Sequence, residues 1–229
     1  MRRFLLAIFG IALSFLLLLT ALETATFRLE TYRELDAQYN IQKRASMSEE
    51  QLNATMADLL SYLFDSREVL DTRAIINGEE RAVFNEKEIL HMIDVKFLFK
   101  LAFGGQLLCG ILVVGIAAYL IFKRQFFTRG TGIALLLTAI VNVILFAILA
   151  VLMQSDFTQY FTYFHEIFFS NDLWLLNPRT DVLIQMLPEA VFSTLAMQIG
   201  LLYAGSMAIV ALIGGGFYFM NKKRKPANS

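Results

Sequence analysis

Four long apolar stretches alternate with two long polar segments and short basic ones along the chain. The apolar stretches are Phe4–Leu22, Phe97–Phe122, Ile133–Met153 and Leu195–Met220. Each comes close to or exceeds the ~20 residues that a helix needs to cross a bilayer. None contains Asp or Glu, and Lys100 lies near an end, where it can snorkel to the interface. The pattern predicts transmembrane helices over 4–22, 97–122, 133–153 and 195–220. Between and beyond them lie a polar segment, 23–96, a short loop, 123–132, an aromatic-rich segment, 154–194, and a basic tail, 221–229. Arg2 and Arg3 precede the first stretch, as in a signal peptide. Its 19-residue apolar run is long for one and no A-x-A site follows, so it reads as a retained span.

Charge orients these spans. Arg2, Arg3, Lys123, Arg124, Arg129, Lys222, Lys223, Arg224 and Lys225 all fall on one side, and all 20 carboxylates fall on the other. The positive-inside rule then predicts cytoplasmic termini, a cytoplasmic 123–132 loop and extracytoplasmic 23–96 and 154–194 segments. The fold class expected is a mostly α membrane protein: four transmembrane helices with an extracytoplasmic cap containing short helices and a small β-hairpin.

Shorter patterns give the cap its elements. Ser48-Glu49-Glu50-Gln51 is a capping box ahead of Leu52, Met56, Leu59, Leu60 and Leu63 at helical spacing. Asn77-Gly78 between Ala74-Ile75-Ile76 and Arg81-Ala82-Val83-Phe84 predicts a hairpin. Asn85 with Glu88 caps a helix that runs unbroken into the second span, so His91 stands roughly 9 Å beyond Phe97 at 1.5 Å per residue. Pro178 and Pro188 are expected to open two short amphipathic helices. Gly104, Gly105, Gly110, Gly115, Gly205, Gly214, Gly215 and Gly216 suit close helix approach, and Cys109 reads as a small packing residue.

Composition supports the membrane reading and narrows the chemistry. The chain is 57% hydrophobic and 17% charged, with no net charge, which argues against disorder and against a nucleic-acid partner. One cysteine excludes an internal disulfide. Spans so poor in ionisable groups argue against a transporter or proton pump. Phe157, Tyr160, Phe161, Tyr163, Phe164, Phe168, Phe169 and Trp174 crowd the second outer segment beyond what an interfacial belt needs, and suggest an acyl-chain-sized crevice.

Both histidines of the chain, His91 and His165, fall in outer segments near span ends, flanked by carboxylates. Asp94, one helical turn from His91, could orient its ring, and Glu166, Asn171 and Asp172 could do so for His165. Acyl transfer through a nucleophile needs Ser or Cys beside a His, and no G-x-S-x-G occurs. A zinc site could draw on His91, His165 and Asp94 or Asp172, without the usual spacing. General acid–base catalysis needs only two groups titrating near neutrality and asks least of these residues.

HMIDVK at 91–96 and FHEIFFSNDLWLLNPRTDVLIQMLPE at 164–189, with Tyr39-Asn40 and LLSYL at 59–63, resemble the signature of a four-span family of Gram-positive bacteria, the lipoprotein intramolecular transacylases. Asn177 departs from the acidic residue expected before the proline. The resemblance implies a cell-membrane enzyme that needs no metal or cofactor. It would move the sn-2 acyl chain of an S-diacylglyceryl cysteine to the α-amine of the same N-terminal residue, giving lyso-form lipoprotein. It implies His91 and His165 as the catalytic pair. Asp94, Asn171 and Asp172 are then orienting or oxyanion candidates, and Phe161, Phe164, Phe168, Trp174 and Asp181 substrate-binding candidates. Diacylated lipoproteins and membrane lipid are the expected partners, and a monomer is expected. Two alternatives stand beside it: a metal-dependent membrane lipid or amide hydrolase using His91, His165 and Asp172, and a non-catalytic lipoprotein-binding scaffold. Catalysis requires the two histidines to approach one another.

Overall fold

A computed structural model describes residues 1–76 and 78–222, without the side chain of Lys222. Asn77 of the hairpin turn and most of the basic tail lie outside the described residues. The chain divides into two compact units.

The first unit comprises Met1–Leu22, Phe103–Val151 and Ile199 onward. It draws on four helices: α1 (Arg2–Thr26), α5 (Glu86–Phe122), α6 (Arg129–Ser155) and α9 (Glu189–Lys222). Among the described residues these four are long and apolar enough to cross a membrane. Their outward surfaces carry Phe4, Ile11, Phe15, Leu107, Ile111, Val114, Ile140 and Leu212, all exposed. Water would penalise such a surface, whereas lipid does not. Between α6 and α9 the backbones almost touch: a Cβ on Gly132 would lie 2.6 Å from the Gly214 carbonyl oxygen. Of the glycines marked for close packing, Gly214 carries this contact. Gly104, Gly115, Gly205, Gly215 and Gly216 instead have open space where a Cβ would point. A polar chain ties three helices together where no apolar pattern predicts it. Tyr203 Oη donates to Asn142 Oδ1 at 2.8 Å, and Asn142 Nδ2 donates to Ser14 Oγ at 2.8 Å and to the Thr138 carbonyl at 2.8 Å. Such groups must find partners inside the protein when water is absent.

The second unit comprises Glu23–Ala102 and Leu152–Gln198. It contains α2 (Leu29–Tyr39), α3 (Ile41–Ala45), α4 (Glu49–Leu63), β1 (Arg73–Ile76), β2 (Glu79–Ala82), α7 (Phe157–Phe168) and α8 (Val182–Met186). The predicted capping box on α4 forms, with the Gln51 N–H donating to Ser48 Oγ at 3.3 Å and the Ser48 N–H to Gln51 Oε1 at 3.4 Å. β1 and β2 pair antiparallel, with Ile76 opposite Glu79, so the loop spans two residues and Gly78 takes a φ of 85°. Tyr32, Leu35, Ile41, Leu59, Leu63 and Met186 lie at the centre of a core shared by α2, α3, α4 and α8.

The prolines act differently from the expectation of two short amphipathic helices. Pro178 opens a turn in which the Thr180 and Asp181 N–H groups donate to the Asn177 carbonyl at 3.1 and 2.9 Å. Asn177 Oδ1 accepts the Arg179 N–H at 3.0 Å, a bond that an acidic residue at that position could equally make. α8 starts only at Val182. Pro188 directly precedes the long α9 rather than a short helix, consistent with its fixed φ and missing donor at a helix start.

Candidate active site

α5 and α7 bring the histidines together. α5 starts where Asn85 and Glu88 cap one another: the Asn85 N–H donates to Glu88 Oε2 at 2.7 Å and the Glu88 N–H to Asn85 Oδ1 at 3.0 Å. Helical spacing then puts Lys87, His91 and Asp94 on one face. α7 starts at Asp156, whose carboxylate accepts the Gln159 N–H at 3.0 Å. Phe157, Phe161 and His165 follow at intervals of four along its inward stripe, and Phe161 meets Phe192 at 5.0 Å. The helix ends where the Phe169 N–H donates to the His165 carbonyl at 2.8 Å.

The His91 and His165 ring centroids lie 6.1 Å apart, tilted by 35°. Both side chains are buried, at 7% and 8% exposure. Aromatic rings wrap His165: Trp174 stacks on it at 4.8 Å, while Phe161 at 4.4 Å and Phe164 at 5.4 Å present their edges. Phe169 contacts both histidines, at 5.2 Å from His91 and 5.5 Å from His165. Phe168 packs on Phe164 at 4.8 Å and stands at the exposed rim.

Hydrogen bonds distinguish the two rings. His165 Nδ1 lies 2.7 Å from the Phe161 carbonyl, which can only accept, so Nδ1 carries a proton and Nε2 of the neutral ring holds a free lone pair. His91 Nδ1 is buried and has no hydrogen-bond partner among the described residues. Burial, reinforced by neighbouring His165, pulls the His91 pKa down to about 4 against the opposing pull of Asp94. Burial also lowers His165, while the Phe161 carbonyl pushes the other way. Both rings are therefore neutral near pH 7.

The remaining candidates divide. Asp94 Oδ2 accepts the Asn171 amide at 2.9 Å, and no hydrogen bond joins it to His91 among the described residues. Asp172 is exposed. Asp181 is buried as a fastener: its carboxylate accepts Asn85 Nδ2 at 3.1 Å, the Asn177 N–H at 2.8 Å and the Thr180 hydroxyl at 2.8 Å. Burial acts to raise its pKa, but those donors win and lower it. The residue is thereby spent on joining the Pro178 turn to the start of α5. Glu88 does the same for α8, accepting the Leu183 N–H at 2.6 Å. Lys87 is not singled out in the sequence, and Phe169 figures there only as one ring of the aromatic run. Lys87 Nζ donates to the Leu175 carbonyl at 2.6 Å, holding the strand of loop that carries Trp174. The i, i+4, i+7 spacing of Lys87, His91 and Asp94 is the signal that could have marked it. Among the described residues no three His, Cys, Asp or Glu side chains converge as a metal-binding group.

The model of the lipoprotein intramolecular transacylase family, Lit, matches residues 7–192. The chain belongs to that family. It is accordingly an acyltransferase with lipoproteins as its substrate class, and a multi-pass membrane protein. Among solved structures, the membrane-integral lipoprotein intramolecular transacylase of Bacillus cereus is similar at 22% identity, with a TM-score of 0.75 and 98% of each chain covered. Two variants of that enzyme, each with one histidine replaced, by arginine and by alanine, match at TM-scores of 0.76 and 0.75 with 20% and 21% identity. They cover 98% of this chain and 95% and 96% of their own. At such identity the likeness shows the fold. No curated protein sequence matches the chain significantly.

Proposed function

We propose that the protein moves the sn-2 acyl chain of an N-terminal S-diacylglyceryl cysteine to the α-amine of the same residue, with His91 and His165 as general acid–base pair. The carrying observation is the buried, neutral pair of rings 6.1 Å apart. The amine nitrogen attacks the ester carbonyl carbon, so that a C–N bond forms and the glycerol C–O bond breaks. His165 takes one proton from the attacking nitrogen on its free Nε2. The resulting cation is favoured by the Phe161 carbonyl and the Trp174 face. As the C–O bond breaks, neutral His91 gives its ring proton to the departing glycerol oxygen while the proton on His165 moves to His91 in the same step, so that no imidazolate forms. The pair ends as it began, and atoms and charge balance without a further reactant.

Geometry supplies the rest of the rate. The cyclic intermediate counts about eight atoms for the sn-2 ester and about one more for the sn-1 ester, which favours sn-2 transfer by proximity. The exposed apolar side chains of Leu90, Ile93, Phe97, Phe164 and Phe168 suit acyl chains at a membrane surface. Charge asymmetry orients the site outward with both termini cytoplasmic, and the protein acts as a monomer.

The test is mass spectrometry of a lipoprotein's N-terminal peptide from cells with and without the protein. An N-acyl, mono-O-acyl form dependent on expression is expected, and a diacylglyceryl form unchanged by expression would sink the reading.

A further inference from the structure

Resting on that reading, we infer that Asp94 and the unpartnered Nδ1 of His91 form the receptor for the substrate's α-ammonium group. Three observations converge on this face of α5. Asp94 is a half-buried carboxylate that forms no ion pair among the described residues, although Lys87 lies two turns away on the same face. The ammonium of Lys87 is taken by the Leu175 carbonyl. Among the described residues the Asp94 carboxylate accepts one hydrogen bond, on Oδ2, from a neutral and exposed donor, Asn171 Nδ2. One turn along the helix, His91 Nδ1 is buried without a partner, a state that ordinarily costs free energy and that a bound donor relieves.

A carboxylate oxygen and an imidazole nitrogen one helical turn apart form an acceptor set. Its complement is a small group with several N–H donors and a positive charge. The cysteine α-amine has a pKa of ~7.7–8.0 and arrives mostly as such an ammonium, which gives up one proton to water before the neutral amine attacks. Asn171 then acts as a place-holder, occupying Asp94 until a charged donor displaces it. The same chemistry explains release. Once acylated, the nitrogen is an uncharged amide with a single N–H, and the receptor loses most of its attraction for it.

The test uses S-dialkylglyceryl-cysteinyl peptides, whose ether links cannot transfer, in a free-amine and an N-acetyl version, binding to the full-length protein in nanodiscs. Wild type should bind the free amine about tenfold more tightly, corresponding to ~1.4 kcal/mol. Asp94→Asn should bring the two affinities to about equality by weakening the free-amine ligand alone, and Asp94→Glu should restore part of the preference. A preference kept in Asp94→Asn overturns the inference, as does a wild type indifferent to acetylation, which needs no variant to fold. The acyl-transfer reading is read separately, from conversion of the diester peptide by wild type. Conversion without discrimination sinks the receptor alone, and absence of conversion sinks the activity.

Discussion

His165 Nδ1 donates to the carbonyl of Phe161, one turn earlier in the same helix, at 2.7 Å. That bond fixes the tautomer and leaves Nε2 as the basic atom of the ring. If the pair shares one proton cycle, His91→Asn and His165→Asn should each lower acyl transfer by ~10²–10⁴-fold. Groups acting as a unit are non-additive, so the double variant should be scarcely worse than either single one. Initial rates on a diacylglyceryl peptide decide this, and a fully active His165→Asn variant would refute the pair.

Both rings have lowered pKa values in the folded protein, His91 to about 4. The unfolded chain, with ordinary histidines near 6.5, therefore binds more protons between those values. Stability is fully present above pH 6.5 and declines as pH falls from there towards 4. Thermal midpoints in detergent at pH 7 and pH 5 should show this loss, and His91→Gln should shrink it. A loss of the same size in His91→Gln would assign it to other groups.

Trp174 covers one face of His165 at 4.8 Å and is itself held through the Lys87 bond to Leu175. Aromatic pairs of this kind contribute ~0.5–1.5 kcal/mol beyond burial. Trp174→Ala should therefore cost roughly three- to tenfold in rate, and Trp174→Phe less. Equal rates for wild type and Trp174→Ala would show that the stack has no part in catalysis.

What the sequence reveals here depends on the range over which a signal acts. The spans, the Ser48–Gln51 and Asn85–Glu88 caps and the two-residue hairpin are written within a few residues of one another, and period and capping chemistry suffice to read them. The pairing of His91 with His165 rests on residue types and family likeness, since no local pattern joins positions so far apart. Asp94 looks from sequence like a partner for His91 because it is one turn away. In the fold it turns to Asn171, 77 residues on. Asp181 shows the same limit: the family likeness marks it as a substrate-binding candidate, but in the fold three donors from two segments engage its carboxylate. Phe169 is legible in the sequence only as one ring of the aromatic run, and its contact with both histidines comes from the fold.

Orientation has its own test. With Cys109 replaced by Ala, a cysteine at exposed Glu80 should react with a membrane-impermeant maleimide on intact cells. A cysteine at Ser229, outside the described residues, should react only after lysis. Labelling of position 229 on intact cells would reverse the topology.

Glu88 separates architecture from chemistry. The residue is 1% exposed, and burial raises its pKa against the opposing bonds from the Leu183, Asn85 and Val182 N–H groups. One oxygen accepts from Leu183 and the other from Asn85, so an amide at this position would turn an NH₂ towards one of two backbone donors. Leaving a buried donor unsatisfied costs ~1–3 kcal/mol. Glu88→Gln should accordingly lower the thermal midpoint by several degrees, whereas Glu166→Gln, at an exposed position on α7, should not. The docking of α8 on the start of α5 should loosen as well, measured as faster amide exchange at Val182 and Leu183. If exchange there stays slow while the midpoint falls, the bond stabilises the α5 cap without fastening α8, and the joint must rest on Asp181 and Asn85.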